Sequence, residues 1–145
     1  MGQGSIIGYE INEKTCQISF YNEKDLEPDT LEVDTDNYQI PLIIGKLRDT
    51  WAYGKEAKRL VTIKDGFTAT RLLSKSLAGD KIEFGEETYD AVWLLSQFIQ
   101  MSLQSFPEID GIVFTVPSAA AFTTSVFSAL KSIPLCVIHS FKVSE

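Results

Sequence analysis

The side chains that could carry catalytic chemistry are few and lie far apart in the sequence. His139 is the only histidine, which excludes a metal site built on several histidines. Cys136 precedes it by three residues, and on a predicted strand that spacing directs the two side chains to opposite faces, which disfavours a cysteine–histidine nucleophile. Ser118 or Ser140 could join His139 in a serine triad, yet neither lies in the Gly-x-Ser-x-Gly turn that exposes such a nucleophile.

One pair of carboxylates has a spacing that catalysis uses. Asp34 and Asp36 are two positions apart and would share a strand face, as paired catalytic carboxylates do. A solvated acidic turn is the simpler interpretation of the same pair. The glycine-rich lysine loop of the Walker type is missing from the sequence. The sequence therefore predicts no catalytic residue and no metal ligand.

Composition and charge narrow the classes of partner. Of the 145 residues, 44% are hydrophobic and 23% are charged, which predicts one globular domain over residues 1–145. The net charge of −7 disfavours binding to nucleic acid or to an anionic membrane, because both need clustered lysine and arginine. The densest basic group, Lys55, Lys58 and Arg59, has the spacing of a solvated helix face.

Cysteine usage and the N-terminal residues predict a cytoplasmic protein. Cys16 and Cys136 lie in apolar, strand-like runs, so we interpret them as reduced core residues, with a buried disulfide as the alternative. The first residues lack the charged and apolar regions of a signal peptide. The apolar runs are all shorter than a membrane span, and we expect no membrane partner.

Strand patterns dominate the first part of the chain. Asn12–Lys14 is predicted to form a hairpin turn between the first two strands, and the polar segment Asn22–Asp29 is predicted to be the next turn. The predicted strands are Ser5–Ile11, Thr15–Tyr21, Leu31–Val33, Tyr38–Gly45 and Trp51–Tyr53.

Helical patterns dominate residues 55–105, which we interpret as a helical insertion followed by a crossover helix. The predicted helices are Glu56–Val61, Asp65–Leu77 and Thr88–Ser105, with a brief strand at Ile82–Phe84. Apolar residues surround most of the helix at Thr88–Ser105, which indicates that it is buried on more than one side.

The end of the chain has a strand–helix–strand pattern. Gly111–Val116 is a continuous apolar run, typical of a strand that is covered on both faces. Ser118 is a suitable N-cap for a helix at Ala119–Ser132, and Leu135–Ile138 begins another buried strand. Antiparallel strands followed by a β-α-β crossover suit an α/β fold of the ribonuclease-H-like type, with a mixed sheet.

Three short stretches resemble the N-terminal lobe of the actin-like ATPases, and of the seventy-kilodalton heat-shock chaperones in particular. Ile6–Ile11 is similar to the family's opening strand. Trp51–Arg59 is similar to its strand, glycine and basic helix, and Ile112–Ser118 to its strand that ends in Val-Pro before a helix. The resemblance covers nearly the whole chain and implies an actin-like ATPase lobe with a ribonuclease-H-like fold.

The resemblance also points to a cofactor site. In these families the opening strand leads into a phosphate loop of roughly Asp-x-Gly-Thr, which aligns with Glu10, Asn12 and Glu13 and is followed by Lys14 and Thr15. These five residues would bind the phosphates of Mg-ATP. Asn12 replaces the glycine that lets the backbone approach a phosphate. A carboxylate at Glu13, about 5 Å from a phosphate charge, costs about 3 kcal/mol at an effective dielectric of 20. An ordinary polar hairpin tip explains the same residues.

Two functions follow from these departures. The favoured one is a degenerate actin-like or chaperone-like lobe that acts as a protein interaction or assembly module, with no cofactor and no enzymatic activity of its own. The alternative is the N-terminal half of an active ATPase, chaperone-like or cytoskeletal, that binds Mg-ATP together with a downstream second lobe. The expected partner is accordingly a second lobe of the same protein or another protein.

Overall fold

In the part of the chain that the structure describes, short strands outnumber helices. The computed structural model describes residues 5–22, 27–33, 35–106, 109–117 and 138–144. Their strands are β1 (Ser5–Ile11), β2 (Thr15–Asn22), β3 (Glu27–Thr30), β4 (Ile40–Pro41), β5 (Ile44–Leu47), β6 (Thr50–Tyr53), β7 (Gly66–Ala69), β8 (Lys81–Phe84), β9 (Glu87–Asp90), β10 (Ile109–Pro117) and β11 (Ile138–Ser144). Their α-helices are α1 (Gly54–Arg59), α2 (Leu72–Ala78) and α3 (Ala91–Ser102).

The main sheet is mixed and has the order β11-β10-β1-β2-β3, with β4 also paired to β2. Strands β1, β2 and β3 are antiparallel neighbours, whereas β10 is parallel to β1 and β11 is parallel to β10. The mixed α/β class is confirmed. Two parallel neighbours need a crossover connection rather than a hairpin. The predicted helix Ala119–Ser132 between β10 and β11 lies outside the described residues, as does most of the predicted strand at Leu135–Ile138.

Alternation along β1 and β2 gives the main sheet one apolar face. Successive side chains of a strand point to opposite faces, so every second residue faces the core. The buried set is Ile7, Tyr9, Ile11, Cys16, Ile18, Ile112 and Phe114. On the opposite face Ile6 is 48% exposed and Glu10 is also exposed.

Helix α3 is the central element of the core. Its residues Leu94, Leu95, Phe98 and Ile99 are fully buried, in agreement with the predicted burial on more than one side. On the side of the main sheet, the Tyr9 hydroxyl and Ser102 Oγ are 2.6 Å apart and share a hydrogen bond. Because the Ser102 hydroxyl donates to the Ile99 carbonyl, Tyr9 is the donor in this bond. On another side, the ring of Phe98 packs edge-on against the ring of Tyr53 in β6, with 5.6 Å between the ring centres.

A small antiparallel sheet with the order β6-β5-β7 packs beside α3. Its register aligns Trp51, Lys46 and Phe67 in one row across the three strands, so these side chains share a face. The neighbouring hairpin of β8 and β9 pairs Ile82 with Tyr89. Helix α1 buries Ala57 and exposes the basic residues Lys55, Lys58 and Arg59, as predicted.

Several predicted boundaries were wrong. Residues 66–69 of the predicted helix Asp65–Leu77 form β7, because they pair with β5, and Arg71 interrupts the chain with a left-handed φ of 53° before α2. The start of the predicted helix Thr88–Ser105 belongs to β9, which pairs with β8 across a turn at Gly85. The third strand lies at Glu27–Thr30, which overlaps the end of the predicted turn Asn22–Asp29, rather than at Leu31–Val33.

These differences change the character of the middle segment. Residues 55–105 were expected to be a helical insertion and a crossover helix with one brief strand at Ile82–Phe84, which β8 matches, but they also contain the strands β7 and β9. Strands this short form only when a partner strand is available, and the partner of β7 lies before α1 in the chain. Local sequence patterns therefore favoured helix where pairing over a longer distance produced strand.

The buried hydroxyl pair at Tyr9 and Ser102 makes a stability prediction. Cys16 Sγ donates to the Tyr9 hydroxyl at 3.7 Å, so replacing Tyr9 by Phe removes two contacts and should lower the free energy of unfolding by about 1–2 kcal/mol. Ser102→Ala should cost about as much, because it leaves a buried hydroxyl without an acceptor. Urea unfolding of both single variants and of the double variant should give a coupling of about 1 kcal/mol. Strict additivity would contradict the described bond.

The Cys16 thiol makes a pH prediction. The thiol is free and buried, and burial raises its pKa to about 12 from the ordinary value of 9.0. Because the folded state retains the proton longer than the unfolded chain does, this contribution to stability is complete below pH 9 and is lost as the pH rises towards 12. The unfolding free energy of Cys16→Val should therefore fall less over this range than that of the wild type. Parallel curves would contradict the assignment.

Candidate functional site

The predicted phosphate loop is a tight turn that is closed by its own asparagine. Asn12 Oδ1 accepts hydrogen bonds from the backbone N–H of Lys14 at 3.0 Å and of Thr15 at 2.8 Å, and from the Thr15 hydroxyl at 3.2 Å. The Asn12 N–H in turn donates to the Thr15 carbonyl at 3.0 Å. Asparagine favours such turns because its side chain can bond to the backbone two or three residues on.

The other two predicted site residues are Glu10, which precedes this turn, and Glu13, which belongs to it. Glu10 is exposed at the end of β1 and is paired with Gln17 across the hairpin, and Glu13 is half-buried at the tip. The structure thus brings Glu10, Asn12, Glu13, Lys14 and Thr15 together in one hairpin, which we call the hairpin tip. The Lys14 carbonyl is also engaged, since it accepts from the Leu42 N–H at 2.8 Å.

The hairpin tip lies at a sheet edge where ligands often bind. Strands β1 and β10 are parallel and Glu10 is paired with Thr115, so the tip follows the carboxyl end of β1 next to the carboxyl end of β10. In α/β proteins ligands bind beyond the carboxyl ends of parallel strands. The position is therefore compatible with phosphate binding, although the donors of the turn are already used by Asn12.

Of the other chemical candidates, only Asp36 contributes a described side chain, and it is exposed in a turn. Ser118, Cys136 and Asp34 lie outside the described residues. His139 and Ser140 belong to strand β11, of which only the backbone is described. Among the described residues, no group of three or more histidine, cysteine, aspartate or glutamate side chains is arranged to hold a metal ion.

A groove that the sequence analysis did not predict lies beside β4, whose Pro41 pairs with Thr15 of the hairpin tip. It encloses about 730 Å³ between residues 31–41 and the segment from β6 to α1. Its apolar lining includes Leu31, Val33, Ile40, Pro41, Trp51, Tyr53 and Met101, and its charged lining includes Glu32, Lys55, Glu56 and Lys58. Both carboxylates have donors within the chain, since Glu32 accepts from the Asp36 N–H at 2.7 Å and Glu56 pairs with Arg59 at 3.1 Å.

One wall of the groove is an open strand edge. Within the described residues, β6 pairs with β5 alone. The Gly54 N–H donates to the Ile43 carbonyl, and bonded pairs alternate along an antiparallel ladder. The backbone groups of Trp51 and Tyr53 consequently point away from β5, towards the open side. An extended segment could pair with this edge while its side chains enter the apolar groove.

Lys46 lies inside a cluster of aromatic rings next to this groove. Its ammonium is 5.2 Å from the ring centre of Trp51 and 5.7 Å from that of Tyr89, and its side chain is only 12% exposed. It donates to the Tyr89 hydroxyl at 3.1 Å and to Glu87 at 3.0 Å, and Tyr89 donates to Glu87 at 2.6 Å. The bonds to Tyr89 and to Glu87 raise the pKa of Lys46, and the bonds from Tyr89 and Lys46 lower the pKa of Glu87.

Gly54, at the junction of β6 and α1, makes a prediction about the groove wall. Its φ of +63° is left-handed, and a Cβ there would lie 2.8 Å from Cγ2 of the buried Ile40. Gly79 is a matched control, because its φ is +72° and no atom lies within 4 Å of its Cβ position. Both Ala variants carry the strain of a positive φ, so Gly54→Ala should lower the unfolding free energy by about 1–2 kcal/mol more than Gly79→Ala. Equal losses in urea unfolding would contradict the contact.

Comparison with known proteins places the chain in a family but assigns it no activity. No curated protein matches the sequence. None of the described helices is long and apolar enough to cross a membrane. The sequence model of a family of unknown function, DUF5716 C-terminal, matches residues 27–133, which is most of the chain. The chain therefore belongs to the DUF5716 C-terminal family.

Proposed function

We propose that the chain is a degenerate actin-like ATPase lobe that serves as a protein interaction or assembly module and does not hydrolyse ATP on its own. The strand order supports the fold part of this proposal. Three antiparallel strands, β1 to β3, are followed at the β1 side by two parallel strands, β10 and β11, which is the arrangement of a ribonuclease-H-like sheet.

The observation that carries the functional part is the turn closed by Asn12. A phosphate at the hairpin tip would need the N–H groups and the hydroxyl that Asn12 Oδ1 already accepts from. Releasing these three bonds costs about 2–4 kcal/mol, and the Glu13 carboxylate adds about 3 kcal/mol of repulsion. A total of about 5 kcal/mol or more lowers affinity by roughly a thousandfold or more. The loop that binds phosphate in the family it resembles is here a self-contained turn.

The groove supplies a surface that suits an interaction module. Its lining is largely apolar, one wall is an open strand edge, and Lys55 and Lys58 at its border are exposed. The two carboxylates of the lining, Glu32 and Glu56, already have partners in the chain. Recognition of an extended segment by strand addition uses these features. The proposal therefore places a partner rather than a small-molecule substrate in the groove.

A second candidate is an active ATPase half, and the position of the hairpin tip favours it. The tip lies beyond the carboxyl end of β1 and next to that of β10, which is where α/β folds bind ligands. In this case Mg-ATP would bind only when a second lobe encloses it. Micromolar binding of Mg-ATP by a longer natural protein that contains this chain, but not by the chain itself, would establish this second function.

Calorimetric titration with Mg-ATP tests the main proposal. We expect no binding heat from the chain at millimolar nucleotide, because the donors of the turn are occupied and Glu13 repels phosphate. Micromolar affinity of the wild-type chain would overturn the proposal. Replacing Asn12 by Gly together with Glu13 by Thr should raise the affinity, since it frees the turn and removes the carboxylate.

A matched control separates a local effect from a general effect of charge. Glu86→Thr removes the same charge from a different hairpin turn and should leave the affinity for Mg-ATP unchanged. If the double variant at Asn12 and Glu13, made in a longer natural protein that contains this chain, also binds no tighter than that protein's wild type, the phosphate site does not lie at the hairpin tip.

A further inference from the structure

The open edge of β6 has backbone groups that β5 does not bond. Trp51 directs both its N–H and its carbonyl away from β5, because the neighbouring Ala52 is the residue that exchanges bonds with Gly45. Tyr53 directs its N–H the same way, whereas its carbonyl serves α1, since an N-cap residue accepts the first bond of its helix. An extended peptide chain has N–H and carbonyl groups at the spacing that such an edge needs.

The second wall of the groove decides which kind of chain can reach this edge. Leu31, Val33 and Pro41 line the groove from the side of residues 31–41. A second copy of the chain would have to bring its own edge strand, with the rest of its fold, into the space between the two walls. A single extended segment needs much less space, so we place a segment of a partner there rather than a second copy.

Helix α1 borders the groove and is basic. Its six residues include Lys55, Lys58 and Arg59 but only one acidic residue, Glu56. Glu56 pairs with Arg59 at 3.1 Å, while Lys55 and Lys58 both line the groove. Within the described part of the chain, Lys58 takes part in no ion pair. The α1 border therefore has a positive charge that a carboxylate of a partner can neutralise.

The negative charges of the chain do not cancel this attraction. Glu32 belongs to the opposite wall of the groove, where it accepts from the Asp36 N–H at 2.7 Å. The net charge of −7 is spread over the whole chain, and at physiological salt charges more than about 8 Å apart are largely screened. The charges next to the end of β6 therefore decide what binds there, and on α1 these are ammonium groups.

We propose that the groove binds an extended acidic segment of a partner protein, which pairs its backbone with β6 and places a carboxylate against Lys58. This inference rests on the proposed function as an interaction module and names the chemistry of its partner. Because α1 follows β6 directly, the acidic end of the segment lies beyond Tyr53 and its apolar residues lie beside Trp51. Nucleic acids and lipid head groups are also anionic, but they lack the chain of peptide N–H and carbonyl groups that a strand edge pairs with.

Anisotropy of fluorescein-labelled peptides, titrated with the whole chain, tests the charge of the segment. The probes are acetyl-Thr-Val-Thr-Val-Thr-Glu-Glu amide, its counterparts ending in Gln-Gln and Lys-Lys, and all three in reversed order, because an added strand can run in either direction. In the order that binds more tightly, we expect the Gln-Gln peptide to bind about twofold to fivefold more weakly than the acidic one, and the Lys-Lys peptide about tenfold more weakly. Equal binding of the three peptides, or no binding of the acidic one, would overturn the proposal.

Variants of two lysines locate the charge contact. Lys58→Ala should weaken binding of the acidic peptide by about twofold to fivefold and leave the Gln-Gln peptide unchanged, since only the acidic peptide has charges that Lys58 attracts. Lys81→Ala is the matched control, because Lys81 is an exposed lysine of β8 outside the groove, and it should bind both peptides like the wild type. An equal loss with both peptides in Lys58→Ala would overturn the contact with Lys58.

N-methylated peptides test the backbone pairing. A strand bonds to one neighbour through alternate residues, so acidic peptides methylated on the odd or on the even amides should differ, with one isomer about tenfold weaker than the other. Binding should also slow hydrogen exchange at the Trp51 and Tyr53 amides, whereas the Ala52 amide is already protected by its bond to Gly45. Equal binding of the two isomers would overturn strand addition.

Sedimentation identifies the competing occupant. Self-association of the wild-type chain that the acidic peptide reverses would place a second copy at the β6 edge and would overturn the proposal of a partner segment. Failure of the peptide titrations leaves the proposed interaction module standing, because that function is tested by Mg-ATP binding at the hairpin tip. Micromolar Mg-ATP binding would conversely remove the module without affecting the peptide result.

Discussion

The burial of α3 between two sheets is the constraint on which the rest of the structure depends. One side of the helix meets the main sheet through the Tyr9–Ser102 bond, and another meets the small sheet through Phe98 and Tyr53. Fully burying Leu94 and Leu95 contributes about 2–3 kcal/mol for each side chain. Without this helix, each of the two sheets would expose an apolar face to water. The fold therefore depends on α3 to bury both faces.

The position of α3 also explains why an aromatic surface exists. Trp93 lies on the side of the helix that neither sheet covers, and it stacks on Tyr89 of β9, while Trp51 reaches the same cluster from β6. The small sheet is too narrow to cover all of these rings. Aromatic side chains that would fill a core elsewhere are therefore held partly at the surface in a fixed arrangement.

Much of the fold could be predicted from the sequence, but little of the site could. Strand β1 and the buried helix α3 were found because their apolar periods are local. Strand β7 was missed because it depends on pairing with β5, and the start of β9 was missed because Gly85 sets a turn that helical periodicity hides. For the site, the residue types predicted a hairpin turn at Asn12. They did not predict the three hydrogen bonds that the Asn12 side chain accepts.

The aromatic cluster around Lys46 shows the same limit. Its rings come from five different elements and belong to Trp51, Phe67, Phe84, Tyr89 and Trp93. Their proximity depends on the pairing of β5 with β6 and β7 and of β8 with β9, rather than on spacing along the chain. The hairpin tip and the aromatic cluster also differ in their contact with the central helix α3. The hydrogen bond of α3 to Tyr9 and its ring contact with Tyr53 do not involve residues 12–15. The aromatic rings, by contrast, contact Trp93 of the same helix that builds the core, so the fold itself maintains their arrangement.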